Sequence, residues 1–274
     1  MAMSINTNVS SLSAQKNLRA NQMSLTMSFN RLSSGLRVTT AADDAAGLAV
    51  SESMKSQIRS YTVADRNASD GISMSQTAEG ALGEVHNALG RMRELAMQSS
   101  NGTLSSSDRG NVNVEYGLLK AEITRIQGSS KFNGVAVVGA TAASTTFQVG
   151  LNSAATDQIT VSFGGVALTS VLATGSSVNT QTLALASLAT IDTAISSVSS
   201  SRARFGAAMN RLEVASSNIQ TMKLNLSAAN SRIIDVDVAE ETANLSRNQV
   251  LTQAGVKVLA QANQLPQMAF GLLQ

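Results

Sequence analysis

The chain has 274 residues, a formal net charge of +2 and 43% hydrophobic residues, while aromatic residues contribute only 3%. Cysteine is absent, which excludes disulfides, thiolate metal sites and a cysteine nucleophile. The small net charge, with no cluster of lysines or arginines, argues against nucleic-acid binding. Because aromatic rings usually supply much of a globular core, their scarcity predicts thin helical packing through aliphatic side chains.

The N-terminal segment combines a polar start with a helical stripe. Its first 18 residues lack the basic start and apolar run of a secretory signal peptide, so none is expected. An amphipathic helix is predicted from the spacing of Leu18, Leu25, Phe29, Leu32 and Leu36. No run of about 18 apolar residues occurs in the sequence, so no membrane span is expected. Taken alone, these features indicate a soluble cytoplasmic protein.

The next predicted element is a long helix over residues 45–99. A seven-residue step connects Met54, Tyr61, Ala68, Ser75, Leu82, Leu89 and Ala96. This heptad spacing is typical of coiled-coil-like packing and predicts a rod roughly 80 Å long. Four glycines inside the helix, Gly71, Gly80, Gly83 and Gly90, each cost about 1 kcal/mol relative to Ala. We expect them to let neighbouring helices approach closely; the alternative is that they break the rod into shorter helices.

A third helix and a β-rich middle follow. The helix is predicted over residues 108–127 and presents Val112, Leu119, Ile123 and Ile126 for packing on the rods. In the middle region, residues 131–182, the segment 159–163 alternates apolar and polar residues, and Gly164-Gly165 supply a two-residue turn into 166–171. This pattern predicts a β-hairpin. The Ser/Thr/Ala/Gly-rich segments 140–146 and 174–177 are expected to be surface loops.

A second rod and a terminal helix complete the chain. The same seven-residue step connects Ile191, Val198, Phe205, Leu212, Ile219, Leu226 and Ile233, which predicts an antiparallel partner for the first rod. The terminal stripe is formed by Leu251, Ala254, Val258, Ala262, Leu265, Ala269 and Leu272. Basic side chains predominate in residues 1–42 and acidic ones in residues 235–274, so the two ends are expected to pair, although exposed ion pairs contribute little.

These elements predict a mainly α fold: a long antiparallel coiled-coil-like helical bundle with a small β-hairpin region and paired N- and C-terminal helices. We expect a terminal helical domain of residues 1–42 plus 236–274, and a rod domain of residues 43–235 with the hairpin insert around 131–182. One thin helix pair buries little surface, so its apolar stripes are predicted to contact further copies of the chain. The expected polymerisation seam consists of Leu18, Leu25, Phe29, Leu32, Leu251, Val258, Leu265 and Leu272.

Chemistry for catalysis is not apparent. His86, the only histidine, is interpreted as a surface or packing residue. Asp43-Asp44 and Asp235 with Asp237 precede helices, where carboxylates cap backbone amides and favour the helix dipole. No phosphate-binding loop, metal motif or nucleophile elbow appears. We therefore expect no enzyme activity, no cofactor and no metal.

The two ends of the chain resemble bacterial flagellin. The matching text is INTNVSSLSAQKNL (5–18), RLSSGLRVTTAADDAAGLAVSESM (31–54) and LGRMRELAMQSSNG (89–102) on the N-terminal side. RFGAAMNRLEVASSNI (204–219) and the tail ending AQANQLPQMAFGLL (260–273) match on the C-terminal side. The short middle departs from the pattern, because many flagellins carry large outer domains there.

The resemblance implies a structural subunit that self-assembles into the flagellar filament for motility. It implies terminal helices in an inner tube, and export unfolded through the flagellar apparatus with a chaperone on the C-terminal helix. The implied location is therefore extracellular, without a cleaved signal peptide. Filament cap and hook–filament junction proteins are implied partners; no nucleic acid or membrane is. Alternatives are a hook–filament junction protein of the same superfamily or a non-enzymatic helical signalling module.

The resemblance also implies contact with the Toll-like flagellin receptor of animal hosts. The corresponding residues here are Arg91, Leu95 and Glu115. At about 100° per residue, Arg91 and Leu95 share a face turned away from the heptad seam. We therefore expect the rod not to need Leu95 fully for its own packing.

Overall fold

The structure is a computed structural model that describes the backbone of residues 7–166, 168–173 and 175–271, with side chains up to residue 264. The helices in these ranges are α1 (Val9–Ser34), α2 (Ala45–Ser99), α3 (Ser106–Ser129), α4 (Thr169–Leu172), α5 (Gln181–Ile234) and α6 (Val238–Gly271). The strands are β1 (Lys131–Phe132), β2 (Val135–Ala136), β3 (Ala143–Gln148) and β4 (Gln158–Phe163). The predicted mainly α fold with long helices is confirmed.

The chain divides into two compact units. The terminal unit comprises residues 1–56 and 225–274, and the rod unit comprises residues 57–224. These divisions lie farther from the chain ends than the boundaries at residues 42 and 235 expected from the sequence. The first turns of α2 and the last turns of α5 therefore belong to the terminal unit.

In the rod unit, α2 and α5 are antiparallel partners. Polar pairs fix this direction: Ser216 Oγ donates to Asp65 Oδ1 at 2.6 Å, and farther along α2 Arg202 Nη2 donates to Glu79 Oε1 at 2.6 Å. The predicted seam is buried between the helices, as shown by Ala68, Ser75, Leu82, Leu89 and Ala96 on α2 and by Ile191, Val198, Phe205, Leu212 and Ile219 on α5.

The glycines of α2 leave the helix unbroken, since it runs without interruption through all four positions. A Cβ added at Gly71 would lie 3.0 Å from Leu212 Cδ1 and 3.1 Å from Phe147 Cγ. Gly71 therefore permits close approach, as expected. At Gly80, Gly83 and Gly90 an added Cβ would meet nothing within 4 Å, so close packing is the wrong explanation for those three.

The third helix, α3, is confirmed and begins at a capping box. Ser105 Oγ accepts from the backbone N–H of Asp108, and the Asp108 carboxylate accepts from Ser105. These hydrogen bonds lower the pKa of Asp108. Arg109 on α3 donates to the carbonyls of Ser99 and Asn101 at the end of α2, at 2.9 and 2.8 Å. These contacts hold α3 beside the C-terminal half of α2.

The hairpin prediction is correct for the strand at residues 159–163 and wrong for the strand that pairs with it. Strand β4 pairs antiparallel with β3, which precedes it in sequence, rather than with residues 166–171. Gly164 and Gly165 have φ of 71° and 67°, and they lead the chain away from the sheet towards the short helix α4. The segment 140–146, expected to be a loop, therefore contains the start of β3. A second small hairpin at β1 and β2 turns on Asn133-Gly134, a strong turn signal that the sequence interpretation passed over.

Aromatic side chains attach the β3–β4 hairpin to the rod helices. Phe163 on β4 stacks on Phe205 of α5 with ring centroids 5.4 Å apart. Phe147 on β3 lies against Gly71, and Asn67 Nδ2 donates to the carbonyl of Gln148 at 3.0 Å. Three of the eight aromatic residues, Phe147, Phe163 and Phe205, thus lie where the hairpin meets α2 and α5.

Helix α5 is long and apolar enough to cross a membrane by length and composition alone. An 18-residue window in it has a mean hydropathy of 1.3, although the sequence contains no unbroken run of about 18 apolar residues. Ile191, Val198 and Phe205 of this helix are buried in the protein core. The 18-residue window is 28% buried, so part of its apolar surface is covered by packing within the protein.

Candidate functional site

The terminal unit is built on α1 and α6, which pack antiparallel. Near the start of α1, Asn8 Nδ2 donates to the carbonyl of Ala262 at 2.8 Å, and Ser11 Oγ donates to Asn263 Oδ1 at 2.7 Å. Farther along, Leu18 Cδ1 lies 3.3 Å from a Cβ added at Gly255. The predicted pairing of the chain ends is therefore present, through hydrogen bonds and small-residue contact.

Arg31 connects three segments of the terminal unit. Its guanidinium lies 3.8 Å from Glu241 Oε2 on α6 and 3.8 Å from Asp43 Oδ1 in the α1–α2 connection. Glu241 is only 7% exposed, so it has little water to solvate its charge. Arg31 therefore compensates a carboxylate that the helix pair itself buries.

Asp43 organises the connection between α1 and α2. Its Oδ2 accepts four hydrogen bonds, from the backbone N–H and the hydroxyl of both Thr39 and Thr40. These bonds, the Thr40 N–H first, lower the pKa of Asp43 from 3.8 to about 2. Two of the other aspartates predicted to cap helices do so. Asp44 accepts a hydrogen bond from the Gly47 N–H at 2.8 Å, and Asp237 accepts one from the Ala239 N–H at 2.9 Å.

The predicted polymerisation seam divides between two environments. Leu18, Leu25 and Leu32 are half-buried, and they share the face of α1 that contacts α6. Phe29 is 64% exposed, and the α6 residues Leu251 and Val258 are also exposed. The side chain of Leu265, and Leu272 as a whole, lie outside the described residues. Part of the predicted seam thus faces the partner helix of the same chain.

A second apolar stripe lies on the opposite side of α1. Met23 is about 160° around the helix from Leu25 at 3.6 residues per turn. We call this the outer stripe; its members are 68%, 55%, 64% and 45% exposed, in the order Val9, Leu12, Met23 and Met27. The sequence interpretation missed it, although the steps of three, eleven and four residues between its members return to one face of a helix. Apolar side chains grouped on an exposed face are characteristic of interaction surfaces.

The exposed apolar residues of α6 extend the same pattern. Among its described side chains, the large apolar ones that remain exposed are Val238, Val250, Leu251, Val256 and Val258. Helices α1 and α6 therefore each bury one face against the other helix, and each keeps apolar side chains exposed on its remaining faces. Burying a Val, Leu or Met side chain fully contributes about 1.5–3 kcal/mol. The arrangement favours packing against further protein.

The predicted receptor-contact residues lie in two environments: Arg91 and Glu115 are on the surface, and Leu95 is in the core. Arg91 and Glu115 are exposed and joined by a 2.8 Å ion pair between α2 and α3, and Arg91 also binds Glu94 at 2.8 Å. These hydrogen bonds, that of Glu115 first, raise the pKa of Arg91. Leu95 is 2% exposed and belongs to the core, so the expectation that the rod does not need it is wrong. The physical reason is α3, which covers a second side of α2 beside the α5 seam.

In a chain without cysteine, His86 and the acidic side chains are the groups that could bind a metal ion. No group of three or more His, Cys, Asp or Glu side chains that could hold a metal ion occurs among the residues described. His86 is half-buried on α2, and its Nδ1 makes no hydrogen bond. The described part of the chain contains a pair of helices with uncovered apolar faces and a well-packed helical rod. These features define a class of protein: a helical subunit that associates with other protein chains.

Comparison with known proteins identifies the family. The profile of the bacterial flagellin N-terminal helical region matches residues 5–143, and that of the C-terminal helical region matches residues 188–273. The chain therefore belongs to the bacterial flagellin family. It is a structural subunit of the flagellar filament, a polymer of copies of one chain, and its location is the bacterial flagellum. This membership does not favour a junction protein or a signalling module.

Two relatives similar over their whole length support this assignment, and one solved structure is similar to part of the chain. A flagellin of Halalkalibacterium halodurans is 41% identical over 99% of this chain and 100% of its own. The flagellar filament 33 kDa core protein of Treponema phagedenis is 39% identical, with the same coverage of both chains. Among solved structures, the flagellin of Bacillus cereus is 33% identical, covers 60% of this chain and 94% of its own, and has a TM-score of 0.49.

Proposed function

We propose that the terminal unit drives filament assembly, with the exposed faces of α1 and α6 packing against the same helices of neighbouring copies. The observation that carries this proposal is the two-sided character of α1. One side, with Leu18, Leu25 and Leu32, is partly buried against α6, while the outer stripe stays exposed on the opposite side. A helix with apolar residues on both sides needs two partners, and one chain supplies only one of them.

The layering implied by the resemblance belongs to the same proposal. Residues 1–42 plus 236–274 form the inner tube of the filament, and residues 43–235 form the layer around it. The burial of apolar side chains in the two parts supports this arrangement. Apolar residues remain uncovered along the terminal helices, whereas the rod helices bury their heptad seam within the chain. The exposed seam residues Phe29, Leu251 and Val258 extend the contact surface around the helix pair.

Export and location follow from assembly outside the cell. The chain leaves the cell unfolded through the flagellar export apparatus, and a chaperone covers the C-terminal helix before export. The filament cap and the hook–filament junction proteins contact it in the flagellum. The absence of cysteine supports passage as an unfolded chain, since no disulfide has to form or break. The subunit carries out no catalysis.

Contact with the host Toll-like flagellin receptor involves Arg91 and Glu115 in this proposal. Both side chains are exposed, and their ion pair presents a charged surface across α2 and α3. Leu95 acts indirectly, because its burial supports the helix that carries Arg91. Truncating a buried Leu to Ala costs about 2–5 kcal/mol of stability. Arg91→Ala is therefore the informative variant for receptor binding by the free subunit, and Leu95→Ala reports on folding as well.

The assembly proposal is tested with two matched substitutions. Leu12 in the outer stripe and Leu185 on α5 of the rod unit are each 55% exposed. We expect Leu12→Gln to slow elongation from filament seeds strongly and Leu185→Gln to change it much less, with circular dichroism confirming that both subunits stay helical. Deletion of residues 1–42 and 236–274 should leave helical rods that do not elongate. Elongation by the truncated chain, or equal rates for Leu12→Gln and wild type, contradicts the proposal.

A further inference from the structure

The outer stripe of α1 contains two of the four methionines that are exposed among the described residues. Met23 is 64% and Met27 is 45% exposed, and their spacing of four places them on one face of the helix. Elsewhere in the described chain, Met74 and Met92 are buried in the rod core. Exposed thioethers react readily with peroxides, whereas buried ones are protected by the surrounding protein. The structure therefore separates reactive from protected methionines.

We propose that Met23 and Met27 form an oxidation site, and that converting them to sulfoxides with hydrogen peroxide prevents the free subunit from assembling. The inference rests on the proposed function, because it assigns the outer stripe to contacts between copies. It adds a chemical modification that switches those contacts off. The oxidant is a peroxide in the medium around the unassembled subunit.

The reaction is balanced with one peroxide for each methionine. A lone pair on the thioether sulfur attacks one oxygen of hydrogen peroxide, forming the S–O bond as the O–O bond breaks. The leaving hydroxide takes the proton of the transferred oxygen and departs as water. Sulfur loses two electrons and the peroxide gains them, so the products are a sulfoxide and water. A methionine sulfoxide reductase can reverse the change.

The position of the two sulfurs explains why oxidation should act on assembly rather than on folding. A sulfoxide is a strong hydrogen-bond acceptor, so burying it against the apolar side chains of a neighbouring copy is unfavourable. In the free subunit both side chains face water, where the sulfoxide is well solvated and the helix is little affected. In the filament the same side chains are covered by neighbouring copies and shielded from peroxide. The reaction therefore selects unassembled subunits.

Two other exposed methionines provide an internal comparison. Met97 on α2 is 55% exposed, and Met222 on α5 is 46% exposed, both in the rod unit. The sulfur of Met222 accepts a hydrogen bond from the Tyr61 hydroxyl at 3.7 Å. Oxidation at these positions adds polarity to a unit that has its own core. We expect it to change elongation much less than oxidation of the outer stripe.

The test uses the full chain as wild type, Met23→Leu/Met27→Leu and Met97→Leu/Met222→Leu. Each free subunit is divided, one half is treated with hydrogen peroxide, and peptide mass spectrometry records the oxidised positions. The readout is the ratio of seeded elongation rates with and without treatment, so an effect of leucine itself cancels. We expect about a tenfold or greater loss for wild type and for Met97→Leu/Met222→Leu. The ratio for Met23→Leu/Met27→Leu should stay near one.

A polar variant separates this inference from the proposed function. Met23→Gln/Met27→Gln introduces polarity into the outer stripe without oxidation, and circular dichroism confirms that it remains helical. If it elongates like wild type, the stripe has no role in assembly and the proposed function fails. If it blocks elongation while wild type oxidised at both positions elongates normally, only the oxidation site fails. An equal peroxide effect on wild type and Met23→Leu/Met27→Leu likewise overturns the site.

Discussion

The rod unit and the terminal unit are made of similar helices, yet they bury very different side chains. The largest fully buried side chains among the described residues all lie in the rod unit, and they include Tyr116, Phe163, Phe205, Leu82 and Leu89. In the terminal unit the buried apolar residues of the described ranges are Val38, Ile234 and Ala262, beside Ser11, Ser28, Ser51 and Glu241. Among the described residues, full burial of the largest side chains is therefore confined to the rod unit.

The difference follows from the number of elements that meet. In the rod unit α2 is covered by α5 along the heptad seam, by α3 on a second side and by the β3–β4 hairpin around Gly71. In the terminal unit, α1 has α6 as its long partner. Two helices can cover only one face each, so apolar residues on other faces stay in water. Similar helices thus yield a core of large buried side chains in one unit and few buried apolar residues in the other, while exposed apolar side chains such as Leu118, Val214 and Leu224 occur in the rod unit as well.

The largest expected contrast comes from one substitution made in both units. Phe205 is 2% exposed and stacks on Phe163, whereas Phe29 is 64% exposed. Phe205→Ala should lower the free energy of unfolding by about 3–5 kcal/mol, as for other buried aromatic residues. Phe29→Ala should change the stability of the free subunit much less and should slow elongation. Denaturant unfolding of the free subunits measures both, and equal losses of stability would remove the contrast.

A smaller effect is expected from Arg31, which acts within the terminal unit. Arg31→Met leaves the buried carboxylate of Glu241 without this ion pair, and an unsatisfied buried group costs about 1–3 kcal/mol. Arg19→Met, at an exposed arginine of the same helix, is the control. Replacing both partners, in Arg31→Met/Glu241→Met, should recover much of the loss. Amide exchange rates in α6 report the effect; no change in Arg31→Met would show that the pair is dispensable.

Replacing a glycine of α2 with alanine should change the stability of the rod unit differently at two positions. Gly80→Ala should stabilise the rod unit by about 1 kcal/mol, because alanine is the better helix former and an added Cβ meets nothing nearby. Gly71→Ala should lose that gain or destabilise, since its Cβ would press on the Phe147 ring and on Leu212. Thermal unfolding of the two variants measures the difference. Equal stabilisation by both would mean that the hairpin does not pack tightly at Gly71.

The smallest effect concerns the pH dependence of the α1–α2 connection. Because the pKa of Asp43 is lowered to about 2, its ionised form is favoured in the folded chain. The stabilisation is fully present above the ordinary value of 3.8 and is lost as the pH falls through about 2. An NMR titration of the Asp43 carboxyl carbon should show this midpoint, and Thr39→Ala/Thr40→Ala should raise it. A wild-type midpoint near 3.8 would contradict the hydrogen-bonded connection.

The sequence predicts the long helices well because heptad spacing is a regular signal over many turns. Ile191, Val198, Phe205 and Leu212 are buried where the seven-residue step places them. The partner of β4 could not be predicted from Gly164-Gly165 alone, since two glycines permit several turns and only tertiary packing selects one. Leu95 was misassigned because the angle argument counted α5 and omitted α3. The outer stripe was missed because the leucine spacing on the other side of α1 was the stronger signal.

The central claim is that other copies of the chain complete the terminal unit, and amide hydrogen exchange tests it most directly. Exchange is measured residue by residue in the free subunit and in the filament. Covering two or more apolar side chains per helix at about 1.5–3 kcal/mol each should slow exchange by about a hundredfold or more. We therefore expect α1 and α6 to exchange much faster in the free subunit than in the filament, with residues 64–96 of α2 equally protected in both. Equal protection of α1 and α6 in the free subunit and the filament would contradict the claim.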